Sequence, residues 1–216
     1  MTLKIKMASL GIVQTNTFVI GDTTTGEAVV IDPVDDAPFI YGMAEEEGWT
    51  VRLILATHGH FDHVLASKHL KELTGAPFWI HEADAVMLHA LPEQGLRFLG
   101  TRFPEAAIPD QLLSDQPEPV KVSAIELECL FTPGHSPGHL AFYLRSHHLV
   151  FSGDCLFAGS IGRTDLPGGN YPLLIESIMT KLIPLGDETH VLPGHGPVTT
   201  IGRERMTNPF LNESLM

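Results

Sequence analysis

The sequence predicts an α+β domain in which two β-sheets pack face to face with helices on the outside. Three observations predict it. Each half of the chain offers strands first and a helix or two after them, an order that two stacked sheets with outer helices satisfy. The 216 residues are 44% hydrophobic, enough for one domain with a large core. No repeat of fixed period is visible, which sets aside solenoids.

Leu3 to Met7 alternates and predicts a first strand. Asn16 to Gly21 and Ala28 to Ile31 predict a hairpin across the turn Asp22-Thr23-Thr24-Thr25-Gly26. Asp32-Pro33 ends the second of these strands. Asp36 caps a helix over Ala37 to Glu47, with Gly48 past its end. The apolar run Val51 to Ala56 predicts a buried strand. Val64 to Thr74 predicts a helix with Ala66, Leu70 and Leu73 on one face, stopped by Gly75. Phe78 to Ile80 predicts a short strand, and Glu82 to Ala90 a helix. Leu91 to Pro119 holds no period and carries five prolines, and reads as an irregular lid, binding loop or surface meander. Strands are then predicted over Ile125 to Phe131, Leu140 to Leu144 and His148 to Ser152. Gly153 to Gly169 reads as loop, Asn170 or Tyr171 to Leu182 as a helix, Thr189 to Leu192 as a last core strand, and Ile201 to Met206 as a terminal helix.

Charge narrows the function classes. The formal charge is −13, from 13 Lys+Arg against 26 Asp+Glu. Holding a polyanion needs clustered cations, so nucleic acid is not an expected partner. Met1 to Leu10 lacks the apolar run of a signal peptide, and no stretch has the length of a membrane span. The expected location is the cytoplasm, where Cys129 and Cys155 stay reduced and buried.

One stretch concentrates chemistry. Thr57-His58-Gly59-His60-Phe61-Asp62-His63 lies between a predicted strand and a predicted helix. On extended backbone, residues i and i+2 face the same side, so His58 and His60 can share one ion. Asp62 and His63 follow once the chain has begun to turn, so they point at a second spot. A lone Asp here reads as a helix cap, but three His and one Asp within six residues read as metal ligands. Three further turns each follow a strand and offer a ligand: Thr132 to His139 with His135 or His139, Gly153-Asp154, and Gly194-His195-Gly196. Glycine beside a ligand lets the backbone turn sharply and lets ligands crowd an ion.

His-x-His-x-Asp-His, then Gly-His, Gly-Asp and Gly-His, resembles the metallo-β-lactamase superfamily over Thr15 to about Pro197. Thr132-Pro133-Gly134-His135-Ser136-Pro137-Gly138-His139, Gly153-Asp154-Cys155-Leu156-Phe157, Gly162-Arg163-Thr164-Asp165 and Asn208-Pro209-Phe210-Leu211 resemble its glyoxalase II-like hydrolases. The resemblance implies a four-layer αββα sandwich with metals at one edge between the sheets. It implies one ion on His58, His60 and His135, a second on Asp62, His63 and His195, and Asp154 bridging them. His139 then supports the site without ligating. The resemblance also implies Arg163 as a substrate contact. Full-length glyoxalase II enzymes carry a helical C-terminal domain. This chain reads as a single domain over 1–216 without one.

Five imidazoles and two carboxylates suit divalent ions such as Zn²⁺, with Fe²⁺ and Mn²⁺ as alternatives. Two ions roughly 3.5–4 Å apart can share a hydroxide for attack on a carbonyl, with Asp62 orienting it and Asp154 joining the ions. A thiol leaves as thiolate at a pKa of about 8.5, without an acid. The expected substrate is therefore a small thioester, of which the resemblance suggests S-2-hydroxyacylglutathione (S-lactoylglutathione), and the protein a monomer or small homo-oligomer. One rival is a persulfide dioxygenase with a single Fe²⁺ on His58, His135 and Asp154. Another is a non-catalytic metal-binding module, which a closed four-ligand site would favour.

Overall fold

A computed structural model describes residues 3–212; residues 1–2 and 213–216, included in the single-domain expectation, lie outside the described chain. Strands β1 (Leu3–Leu10), β2 (Thr15–Asp22), β3 (Glu27–Ile31), β4 (Thr50–Leu55), β5 (Phe78–His81) and β6 (Gln111–Leu113) form the first sheet in chain order. β1 to β3 pair antiparallel, and β3 to β6 pair parallel. Each parallel step needs a crossover. Helix α1 (Ala37–Glu45) supplies the first, α2 (Phe61–Val64) and α3 (Ser67–Thr74) the second, and α4 (Glu82–Leu88) and α5 (Leu91–Leu99) the third.

The second sheet contains β7 (Val120–Val122), β8 (Ile125–Phe131), β9 (Leu140–Leu144), β10 (Leu149–Gly153), β13 (His190–Pro193) and β14 (Thr199–Thr200), in the order β14-β13-β10-β9-β8-β7. A ribbon of β11 (Leu156–Phe157) and β12 (Ser160–Ile161) follows β10. Helix α6 (Tyr171–Ser177), widening into a π-turn over Ile178–Leu182, makes the crossover to the parallel strand β13. Helices α7 (Ile201–Thr207) and α8 (Pro209–Asn212) close the described chain.

Side-chain alternation sorts the strand residues into separate apolar layers. Phe18, Ile20, Val29, Ile31, Leu53 and Leu55 of the first sheet face Leu127, Leu140, Phe142, Phe151 and Leu192 of the second. Phe18 meets Phe151 edge-on at 5.0 Å between ring centroids. Their neighbours Val19, Val30 and Ile54 point outward onto Ile40 and Leu70 of α1 and α3. On the far side, Tyr143, Val150 and Val191 pack on Leu174 and Ile178. Four layers result, as the αββα expectation requires. Each fully buried side chain of this size contributes roughly 1.5–3 kcal/mol, so the inter-sheet layer holds the two halves together.

The ends of the sheets are blunt. β1 pairs only with β2 and carries Lys4 and Lys6, ion-paired to Glu47 and Glu46 beyond α1 at 2.7 and 2.6 Å. The other three edge strands, β6, β7 and β14, have three, three and two residues.

Several expectations change. The helix expected over Val64 to Thr74 begins at Phe61 and breaks after Val64. The Ala66 N–H turns to Pro33 O at 3.0 Å, outside the helix ladder. Ala66 and Leu70 are buried, but Leu73 is 40% exposed. Leu91 to Pro119 is not irregular throughout: it holds α5 and β6. Pro92 lies in the first turn of α5, where its missing N–H has no partner to lose, and Gly100 ends the helix in the left-handed region at φ +69°. The loop expected over Gly153 to Gly169 contains the β11–β12 ribbon.

Candidate metal centre

Four strand ends deliver the site. β4 runs into the turn that holds His58 and His60, and β8, β10 and β13 lead to His135, Asp154 and His195. Extended backbone at His60 (φ −68°, ψ 148°) gives way to α2, so Asp62 and His63 swing to a different side from His58 and His60. Asp62 lies inside the first turn and is not the helix cap. Three overlapping groups of ligand atoms result: His58, His60 and His135; His58, His63 and Asp154; and Asp62, His63 and His195.

The distances suit ions. His135 Nε2 lies 3.2 Å from His58 Nε2 and 2.8 Å from His60 Nδ1. His195 Nε2 lies 3.2 Å from Asp62 Oδ2 and 3.4 Å from Asp154 Oδ2. Asp154 also reaches His63 Nε2 at 3.3 Å and His135 Nε2 at 3.5 Å. Donors bound tetrahedrally at about 2.0–2.1 Å sit about 3.3 Å apart. His63 Nε2 and Asp154 Oδ1 are buried, face each other and have no hydrogen-bond partner. Such atoms cost about 1–3 kcal/mol each when left unmet. A divalent cation between them fits this donor set.

Outer partners fix which nitrogen faces inward. His135 Nδ1 donates to Arg163 O at 2.8 Å, which leaves its Nε2 lone pair for the centre. Asp32 accepts from His63 Nδ1 at 2.8 Å, from Thr57 N at 2.7 Å and from the Thr57 hydroxyl at 2.9 Å. That hydroxyl in turn accepts from His58 Nδ1 at 3.0 Å. Thr15 donates to Asp62 Oδ2 at 2.8 Å. His139 does not ligate: it donates from Nδ1 to Thr132 Oγ1 and accepts the Asp154 N–H at Nε2, so it holds Asp154 by its backbone.

The electrostatics divide the site. Burial, reinforced by neighbouring imidazoles, holds His58 well below the usual histidine range and His60 down to about 4. At His63 burial works against the charged form, but Asp32, Asp154 and Asp62 outweigh it and raise the pKa well above normal. At His195 burial is likewise overcome by Asp154 and Asp62, which push it up to about 10. Asp62 falls to about 2 although burial opposes this, because His63, His195 and Thr15 favour the carboxylate. Two neutral imidazoles, His58 and His60, therefore sit beside an acidic pair that favours positive charge.

Every predicted ligand is brought to this centre. Arg163 divides in two: its carbonyl orients His135, while its guanidinium, on a side chain 60% exposed, forks onto Asp165 at 2.7 and 2.8 Å. The six remaining histidines stay off the centre; His81, for example, caps α4 by accepting from Ala83 N and stacks on Phe131. The turn before His195 requires glycine, because a Cβ on Gly194 would overlap Asp154 Oδ1 and lie 2.7 Å from His63 Cε1. The sequence carries no local signal for the supporting roles of Asp32, Thr57, Asp84 and Thr15. Asp32 reads as a strand end and Asp84 as one of two acids in its helix; only a buried carboxylate's need for several donors marks them.

Comparison with known proteins agrees with this geometry. The chain is 43% identical to hydroxyacylglutathione hydrolase GloC of Haemophilus influenzae, over 86% of this chain and 87% of that protein. Among solved structures it resembles the BLEG-1 B3 metallo-β-lactamase, with a TM-score of 0.88 and 38% identity, covering 96% of this chain and 99% of that one. It also resembles TTHA1623 in a di-iron-bound form, with a TM-score of 0.85 and 37% identity, covering 95% and 100%. The family model described as the metallo-β-lactamase superfamily matches residues 10–195. With the αββα layers and seven converging donors already in place, the chain belongs to the metallo-β-lactamase superfamily.

Proposed function

We propose that this protein is a binuclear metal-dependent thioester hydrolase whose substrate is an S-2-hydroxyacylglutathione such as S-lactoylglutathione. The observation that carries the proposal is the pair of ligand sets, His58/His60/His135 and Asp62/His63/His195, joined across Asp154. The likeness to hydroxyacylglutathione hydrolase GloC supports the substrate class. Zn²⁺ suits the donors, and Fe²⁺ or Mn²⁺ suit them as well. Bound divalent ions supply a water acidified to a pKa of about 7 and a Lewis acid for the thioester carbonyl.

The chain supplies the rest. Asp62, held by Thr15, presents a carboxylate oxygen that orients the attacking water. Asp154, anchored through its N–H to His139, keeps its oxygens between the two ligand sets. The leaving thiol, with a pKa of about 8.5, departs as thiolate without a proton donor. Arg163 receives a substrate carboxylate by exchanging it for Asp165. That ion pair is solvent-exposed, so a substrate carboxylate can compete with Asp165 for the guanidinium.

The second reading is persulfide oxidation at one Fe²⁺ on His58, His135 and Asp154. His135 Nε2 stands 3.2 Å from His58 and 3.5 Å from Asp154, and the chain also resembles ETHE1 from Myxococcus xanthus, at 30% identity and a TM-score of 0.79. Thiol release from S-D-lactoylglutathione, measured anaerobically on metal-loaded protein, separates the two. Turnover that disappears in Asp62→Ala supports the hydrolase. No turnover, followed by oxygen uptake on glutathione persulfide in air, moves the assignment to the dioxygenase. Silence in both assays rejects both substrates.

A further inference from the structure

Asp84 is a buried carboxylate with no role in the chemistry above. It sits in the first turn of α4, but His81 already caps that helix. Its side chain is free to reach across to two turns. Oδ2 accepts from Gly59 N at 3.0 Å and from Ser136 Oγ at 2.6 Å; Oδ1 accepts from Gly138 N at 2.6 Å. Gly59 lies between His58 and His60, and Ser136 follows His135. The fit is close from both sides. A Cβ on Gly59 would stand 2.7 Å from Asp84 O, and one on Gly138 would stand 2.8 Å from Asp84 Oδ1. The same two turns are joined elsewhere only through Leu140 N to Thr57 O among the backbone bonds described, at 2.8 Å.

We infer that Asp84 is a positioning residue that sets the spacing of His58, His60 and His135 without touching any of them. The inference rests on the reading that these three imidazoles hold one ion. Its effect is local to that ion. Asp62 and His63 take their outer contacts from Thr15 and Asp32, and His195 is bridged to Thr15 through its backbone, so none of the three depends on Asp84 directly.

Asn at this position tests the claim sharply. Both oxygens of Asp84 accept from backbone N–H groups, which cannot turn. Either orientation of an amide therefore sets its NH₂ against Gly59 N–H or Gly138 N–H. One turn must move away, and the three imidazoles lose their spacing. Supporting-group changes of this kind lower metal affinity about 10- to 100-fold.

The experiment is a stepwise Zn²⁺ titration of metal-stripped full-length protein against a chromophoric competitor. His135→Ala and His195→Ala identify the two binding steps. In Asp84→Asn the step lost in His135→Ala should weaken about 10- to 100-fold, while the step lost in His195→Ala keeps its affinity. Two unchanged steps, or equal weakening of both, would overturn the inference. If His135→Ala itself binds two ions as the wild type does, the metal reading fails first and takes the inference with it. Should Asp84→Asn not fold, Ser136→Ala removes one donor and spares both backbone bonds. It should weaken the same step a few-fold, and no change there rejects the role.

Discussion

Replacing Asp32 by Asn changes one acceptor oxygen into a donor at nearly constant volume. Oδ1 of Asp32 takes the Thr57 N–H, while Oδ2 takes the Thr57 hydroxyl and His63 Nδ1. With the amide NH₂ at the Oδ2 position, His63 Nδ1 must accept, so only Nε2 can carry a proton. That nitrogen is the one facing Asp62 and Asp154 at 3.6 and 3.3 Å. With the NH₂ at Oδ1, it opposes a backbone N–H that cannot turn. Either way one buried donor loses its acceptor, at about 1–3 kcal/mol. For a chain of this length each kcal/mol lowers Tm by about 2–4 °C. The metal-stripped variant should therefore melt about 2–12 °C below wild type, and Zn²⁺ affinity at Asp62/His63/His195 should fall about 10- to 100-fold. Calorimetric melting, Zn²⁺ titration and ¹⁵N spectra of the imidazoles read the three quantities. Wild-type affinity with His63 still protonated on Nδ1 refutes the reasoning.

Three other outcomes follow from packing and burial. A methyl group on Gly21 would overlap the ring of buried Trp49, lying 2.5 Å from Cζ2, so Gly21→Ala should cost about 1–3 kcal/mol; an unchanged melting temperature contradicts this. Burial pushes the Cys129 thiol up to about 12 and the Cys155 thiol higher still, so a chromogenic disulfide should label both slowly in the native state and fully in guanidinium. Because unfolded thiols ionise first, their contribution to stability should decline as pH rises above about 9; fast native labelling at pH 8 would contradict the burial. Asn208→Asp sets a second carboxylate 2.9 Å from buried Glu204 and removes the donor to Ser160 O, so urea melts should show a loss of about 3 kcal/mol or more; a loss under 1 kcal/mol would mean that the pair is solvated.

What was legible in the sequence was what is local. His58, His60, Asp62 and His63 fall within six residues, so their convergence needs only strand and helix geometry. His135, Asp154 and His195 were legible because each follows an apolar strand and a glycine. Asp32 and Asp84 were not, because the donors that give them meaning stand 25 or more residues away in the chain. The prolines of residues 91–119 suggested disorder of pattern, yet Pro92 starts a helix instead of breaking one. The break after Val64 was hidden for a similar reason: its cause is Pro33 O, on another segment. Layering was legible, since alternation alone separates Phe18 and Ile20 from Val19. Strand order was not, since neighbours such as β10 and β13 lie forty residues apart.

The blunt sheet ends bear on how copies of this chain meet. A sheet grows when a foreign strand finds a long row of free N–H and C=O groups. Of the edge strands only β1 offers eight residues, and there Lys4 and Lys6, with their partners Glu47 and Glu46, set a charged rim along the edge. Strands of two or three residues give an incoming chain too few bonds to offset its lost freedom. Strand addition is disfavoured at all four ends, which leaves faces and loops as the surfaces better suited to contact between copies.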